Sequence, residues 1–103
     1  MTAYTITGPG KVKPREFDDN NLLDDIQDFL GGYMETLTYL REGVVVVIHD
    51  EGKLIGLPYT CQIKRNRMID TLVGNVAIFG IDRSDLCSIT REKAIEFIGN
   101  YIL

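Results

Sequence analysis

Between residues 22 and 30 the apolar positions recur at helical spacing. Leu22, Leu23, Ile26, Phe29 and Leu30 fall on one stripe, which predicts an amphipathic helix. Asn20 or Asn21 stands where a cap is needed, and Gly31 stands where a left-handed residue can end it. A second helix is expected in "SITREKAIEFIGNYIL", residues 88–103. There Thr90 is the cap and Glu92 lies in the first turn, where the helix dipole favours an anion. Ala94, Ile95, Ile98 and Ile102 form its apolar stripe, and Gly99 weakens it by up to about 1 kcal/mol relative to Ala.

Other segments follow a two-residue period or a β-branched run. "AYTIT" (3–7) reads as a strand ended by the turn Gly8-Pro9-Gly10, and "KVKPREF" (11–17) as an edge strand because it contains Pro14. "YMETLTYL" (33–40) alternates like a half-buried strand. "GVVVVIHD" (43–50) has the composition of a central strand buried on both faces. "DEGK" is a tight-turn signal, so "KLIGLPY" (53–59) is expected to fold back as the partner strand, giving a hairpin over 44–57. A short helix is expected around "RNRMIDTL" (65–72), with Met68, Ile69 and Leu72 inward, and a strand at "NVAIFGI" (75–81). The pattern predicts a single α+β domain over 1–103. It has a mostly antiparallel sheet of four to six strands, two main helices and one short helix. No βαβ alternation is present, so a doubly wound sheet is not expected.

Length and composition tighten this picture. A chain of 103 residues suffices for one domain, and 45% hydrophobic with 25% charged residues allows a modest core. "GVVVVIH" is far too short to span a membrane. The first residues carry no apolar leader, so the expectation is a cytoplasmic protein. Cys61 and Cys87 are far apart and form no CxxC pattern, which suits buried thiols better than a disulfide. The net charge of −4 argues against broad, non-specific binding to nucleic acid, which needs clustered cations.

The charge is unevenly spread. Glu16, Asp18, Asp19, Asp24, Asp25, Asp28 and Glu35 are seven carboxylates with no Lys or Arg among them. A calcium loop beginning at Asp18 or Asp19 would put Leu22 or Leu23 where an oxygen ligand belongs. A carboxylate pair for glycoside chemistry needs a cleft, whereas these groups lie opposite an apolar stripe on the convex side of a helix. His49 is the only histidine, and Ser84, Ser88 or Cys61 would have to supply a nucleophile without a GxSxG elbow. One His and two isolated Cys do not make a zinc site. "GPGKVK" lacks the strand-to-helix context of a phosphate loop. No catalytic, metal or cofactor residues are therefore assigned. Lys64, Arg65 and Arg67 form a basic cluster that could contact nucleic acid but is read first as solvated surface or as partners for the acidic face, so direct nucleic-acid binding is not expected.

The order of the motifs "LGGYMETL", "HDEGKLIGLPYT", "MIDTLVGNVAIFG" and "SITREKAIEFI" resembles a small domain-of-unknown-function family of phages, plasmids and conjugative elements of Gram-positive bacteria. Gly31, Gly32, Tyr33 and Glu35 match its GGYIE-like step. Glu51, Gly52 and Lys53 match its NEEGK-like turn, and Gly56, Leu57 and Pro58 its GLP step, with Gly74 and Gly80 flanking the later strand. His49-Asp50 and Tyr59-Thr60 depart from it, standing where Asn-Glu and a following Asn are usual. The resemblance implies an accessory gene of a mobile element.

Three functional readings follow. In the first, the protein binds and inhibits a host defence enzyme such as a CRISPR nuclease or restriction complex. Asp18, Asp19, Asp24, Asp25, Asp28 and Glu35 would then meet a basic groove that normally holds nucleic acid. In the second, a small ligand binds near His49, Asp50, Glu51 and Tyr59. In the third, an exposed strand pairs across a two-fold axis to make a homodimer.

Overall fold

Four consecutive valines set the middle of the molecule. In the computed structural model, which describes all 103 residues, Val44, Val45, Val46 and Val47 are all buried. A strand turns alternate side chains to opposite faces. Val44 and Val46 therefore enter one apolar cluster, and Val45 and Val47 enter another on the far side of the sheet.

The elements run β1 (Thr2–Ile6), β2 (Val12–Glu16), α1 (Leu22–Leu30), β3 (Met34–Tyr39), β4 (Val44–His49), β5 (Tyr59–Arg65), β6 (Met68–Val73), β7 (Val76–Asp82), β8 (Asp85–Cys87) and α2 (Arg91–Tyr101). The main sheet has the order β2-β1-β7-β4-β3, and every pairing is antiparallel. β8 pairs with Gly80–Asp82 of β7, continuing the edge that β1 occupies at Val76–Ile78. β7 repeats the alternation of β4: Ile78 lies opposite Val46 on one face, and Phe79 opposite Val45 on the other.

Both faces must be covered, and the chain covers them differently. α1 packs Ile26 and Leu30 against Val45, Val47, Ala77 and Phe79. Across the sheet, α2 and the hairpin β5–β6 pack Phe97, Ala94, Cys61, Ile63 and Leu72 against Val44, Val46 and Ile78. The fold is α+β, with a six-stranded sheet between a helix and a helix-plus-hairpin layer. No helix is long and apolar enough to cross a membrane.

The helix ends follow local chemistry. Gly31 ends α1 at φ 82°, its N–H donating to the carbonyl of Gln27, and the Thr90 hydroxyl caps α2 by accepting from the N–H of Lys93. At the start of α1, neither expected Asn side chain caps. Asp18 instead caps a 3-10 turn, Asp19–Asn21, by accepting from the N–H of Asn20.

Three expectations are corrected. The hairpin over 44–57 does not form, because the partners of β4 are β3 and β7. Residues 50–56 coil in successive turns closed by Ile55 N–H to Glu51 and Leu57 N–H to Gly52. Leu54 and Ile55, which suggested a strand, are 84% and 57% exposed.

Residues 65–72 form no helix either. Asn66 and Arg67 (φ 49° and 67°) make a two-residue left-handed turn between paired Arg65 and Met68, and the chain returns as β6. Of the three residues expected inward, only Leu72 is buried. In place of the one short helix there are two 3-10 turns, at Asp19–Asn21 and Leu40–Glu42. Finally, α2 buries Ala94 and Phe97, while Ile95 is 53% exposed. Phe97 turns inward because Tyr39 and Tyr101 flank its ring, with centroids 4.9 and 4.8 Å away.

This orientation of α2 is testable by urea denaturation. Phe97→Ala is expected to cost about 3–5 kcal/mol, whereas Ile95→Ala costs less than about 1 kcal/mol. Equal losses would mean that the helix is rotated.

Candidate functional site

The acidic segment folds as one continuous surface, but its carboxylates do not share one state. Arg15 reaches from β2 to Asp25, Nη2 to Oδ1 at 3.1 Å. Its guanidinium lies 4.7 and 4.8 Å from the ring centres of Phe17 and Phe29, a placement that attracts the cation to the ring faces. The second oxygen of Asp25 accepts from the N–H of Asp18, whose own carboxylate is the cap described above. Asp19 lies 2.9 Å from the Met1 amine, which also contacts Glu16 at 3.3 Å. The hydrogen bond from the Thr2 hydroxyl, then that from the Met1 amine, holds the Glu16 carboxyl below the usual carboxylate range.

Asp24 and Asp28 differ from these. Both are exposed, one turn apart on α1, with neither an ion pair nor a side-chain hydrogen bond. The scaffold beneath them is rigid by packing. Phe17 lies between Phe29 (5.6 Å, edge-on) and Phe79 (5.3 Å), and Asn75 Nδ2 donates to the carbonyl of Phe29. Glu35 does not belong to this surface. It sits on β3 opposite Ile48 and lines a cleft on the other side of the sheet.

That cleft gathers Glu35, His49, Asp50, Lys53 and Asp70 around a cavity of about 140 Å³. The His49 side chain is only 8% exposed. Its Nδ1 accepts from the N–H of Glu51 at 3.0 Å, so the neutral ring carries its proton on Nε2. The carboxylate of Asp50 is 3.6 Å from Nδ1. Lys53 Nζ is 2.8 Å from Asp70 Oδ1, which also accepts from the N–H of Thr71. The hydrogen bond from Lys53 holds the Asp70 carboxyl below its usual range.

Of the residues expected around a ligand, His49 and Asp50 line the cleft, and Glu51 supplies only its N–H. Tyr59 lies elsewhere, in an apolar groove with Val12 and Ile98. Sequence reasoning missed Lys53 and Asp70. They meet only because β6 returns past the 50–56 turns, and nothing local signals that.

Neither Ser88 nor Cys61 is free to pair with the imidazole as a nucleophile. Ser88 Oγ accepts from the N–H of Thr2, and Cys61 is buried in the core, where desolvation pushes its thiol up to about 11. No group of three or more His, Cys, Asp or Glu side chains is arranged to hold a metal ion.

The glycines of the sequence motifs find their reason here. A Cβ on Gly32 would lie 2.3 Å from Nε2 of His49, so the GG step makes room for the imidazole. A Cβ on Gly74 would lie 2.6 Å from Cδ1 of Leu57, the one apolar residue of 54–57 that turns inward. Asp50 N–H donates to the carbonyl of Tyr33, tying the two motifs together. Residues 1–102 match the family described as a domain of unknown function, DUF3846. The chain belongs to the DUF3846 family. No curated protein and no solved structure is similar to it.

In this DUF3846 chain the close approach of Gly32 and His49 predicts coupled stability effects. Gly32→Ala is expected to destabilise the wild type by about 1–3 kcal/mol more than it destabilises His49→Ala. Denaturant titration of the two single variants and the double variant measures this difference, and additive losses would show that the ring yields freely.

Proposed function

We propose that this chain is a binding protein that docks on a basic surface of a partner protein through the exposed acidic face of α1. The observation that carries the reading is Asp28 in the last turn of α1, with Asp24 one turn away. They are exposed and unpaired on a helix held fixed by the Phe17, Phe29 and Phe79 packing. Asp18, Asp19 and Asp25 surround them but are already engaged within the fold. A fixed, one-signed surface raises the rate of encounter with a cationic groove more than it raises affinity, and salt weakens it.

The motif resemblance to proteins of phages, plasmids and conjugative elements supports a specific partner class. It is a host defence nuclease of the CRISPR or restriction type, met in the cytoplasm, whose nucleic-acid groove presents Lys and Arg. The chain would act there by occupancy rather than by chemistry.

The cleft at His49 favours a second reading, because Lys53, Asp70 and Glu35 converge on it from three elements. At about 140 Å³ it would take a group of a few heavy atoms. A rise in Tm on adding small amines, lost in Asp70→Ala, would support this reading over the first.

The test of the main proposal is a nuclease-inhibition assay at low and high salt. Wild-type protein is expected to inhibit at low salt and to lose inhibition as salt rises. Asp24→Lys with Asp28→Lys abolishes inhibition. The change at Asp24 also reverses a charge in the first turn of α1, which costs up to about 1 kcal/mol, so a thermal melt must show the variant folded. Inhibition unchanged by the double reversal in a folded protein would sink the acidic-face proposal.

A further inference from the structure

The opposite layer of the molecule carries the opposite charge. Lys64, Arg65 and Arg67 lie at the tip of the β5–β6 hairpin, and Arg41 lies in the 3-10 turn that follows β3. The Tyr39 hydroxyl joins these segments by donating to the carbonyl of Lys64 at 2.8 Å. The guanidinium of Arg65 lies 5.7 Å from the Tyr39 ring centre. These four cations and Glu42 give this end a formal +3, so the remainder of a chain of net charge −4 carries −7. The acidic helix and the basic hairpin are separated by the thickness of the main sheet.

Between hairpin tip and 3-10 turn runs an open groove of about 420 Å³, bordered by Tyr39, Arg41, Glu42, Arg65, Asn66 and Tyr101. The rings of Tyr39 and Tyr101 are 5.1 Å apart, and Tyr101 stacks on Phe97 at an interplanar angle of 23°. The Tyr101 hydroxyl donates to Glu42 Oε1 at 2.7 Å, which holds it above its usual pKa and fixes the ring. The groove thus combines cations from separate segments with anchored aromatic rings.

We propose that this groove binds a single strand of nucleic acid. Arg41 and Arg65, which border the groove, and Lys64 and Arg67 on the hairpin tip beside it meet the phosphates, and a base packs against Tyr39 and Tyr101. Cations that track a backbone beside aromatic rings are the common solution for single strands. Glu42 separates this ligand from an acidic peptide. Phosphates and peptide carboxylates are both repelled by Glu42, but a base offers it amine donors that an acidic side chain lacks. The net negative charge of the chain excludes broad coating of duplexes but not a local site on this basic end. This proposal does not depend on the acidic-face reading, since the two surfaces share no residue.

The test is fluorescence anisotropy of the purified full chain with a labelled twenty-nucleotide oligo(dA) strand. Binding is expected at low salt. Its log–log salt dependence should have a slope of about −2 to −3, corresponding to up to four phosphates at roughly −0.7 each. Lys64→Glu with Arg67→Asn should weaken binding at least about tenfold, Asn being suited to the left-handed turn. Arg41→Glu, which leaves the hairpin untouched, should weaken it as well, while Asp24→Lys with Asp28→Lys should not. An abasic strand of the same length should bind more weakly than oligo(dA). The proposal is overturned by no binding at low salt, by affinity unchanged in the Lys64 and Arg41 variants, by equal binding of the abasic strand, or by equal binding of polyglutamate.

Discussion

A strand whose side chains are apolar on both faces cannot lie at a wet surface, and β4 imposes that condition on everything around it. Burying four valines in a row requires a neighbour on each edge and a layer on each face. β3 and β7 supply the edges, α1 one cover, and α2 with the β5–β6 hairpin the other. A 103-residue chain has little to spare for this. That is why a two-stranded hairpin, marginal alone, serves as half of a core layer. It is held there by Ile63, Leu72 and Cys61, by the Tyr39 bond to Lys64, and by Leu103 N–H donating to the carbonyl of Gln62.

The parts legible in the sequence were those governed by local periodicity. The stripe of α1 apart from Leu23, which is 52% exposed, the Thr90 cap, the Gly31 terminus and the all-valine strand each follow from spacing within a few residues. The hairpin was not legible because exposure and apolarity part company there. Leu54, Ile55, Met68 and Ile69 are apolar and exposed, so they imitated a strand in one place and a helix face in another. The turn that makes the hairpin is Asn66-Arg67, and only its first residue advertises a left-handed conformation. The candidate surfaces divide the same way. The acidic helix could be read directly, whereas the cleft at His49 depends on β6 returning Asp70 to Lys53, a long-range consequence of the misread hairpin.

Charge in this fold is partly spent on structure. Asp18 and Asp25 hold the entry into α1, Arg15 bridges Asp25 to the aromatic cluster, and Asp24 stands in the first turn, where the helix dipole favours it. Each of these would be accounted for if the protein bound nothing. They cannot therefore be counted as evidence for a docking face merely because they are acidic.

Asp28 is the exception, and the case for function rests on it more than on the rest of the cluster. It lies in the last turn of α1, where the dipole disfavours an anion and no basic residue is present to offset it. It also stands one turn from Asp24, a like-charge spacing that costs a few tenths of a kcal/mol. Arg15 and Lys13 border the same groove as Asp28, but Arg15 is committed to Asp25 and Lys13 makes no ion pair with Asp28. A neutral residue at 28 would relieve both penalties without disturbing Ile26 or Leu30, which carry the packing of the helix. A charge at odds with its local electrostatics is the kind of local conflict that the proposed docking on a basic surface would relieve.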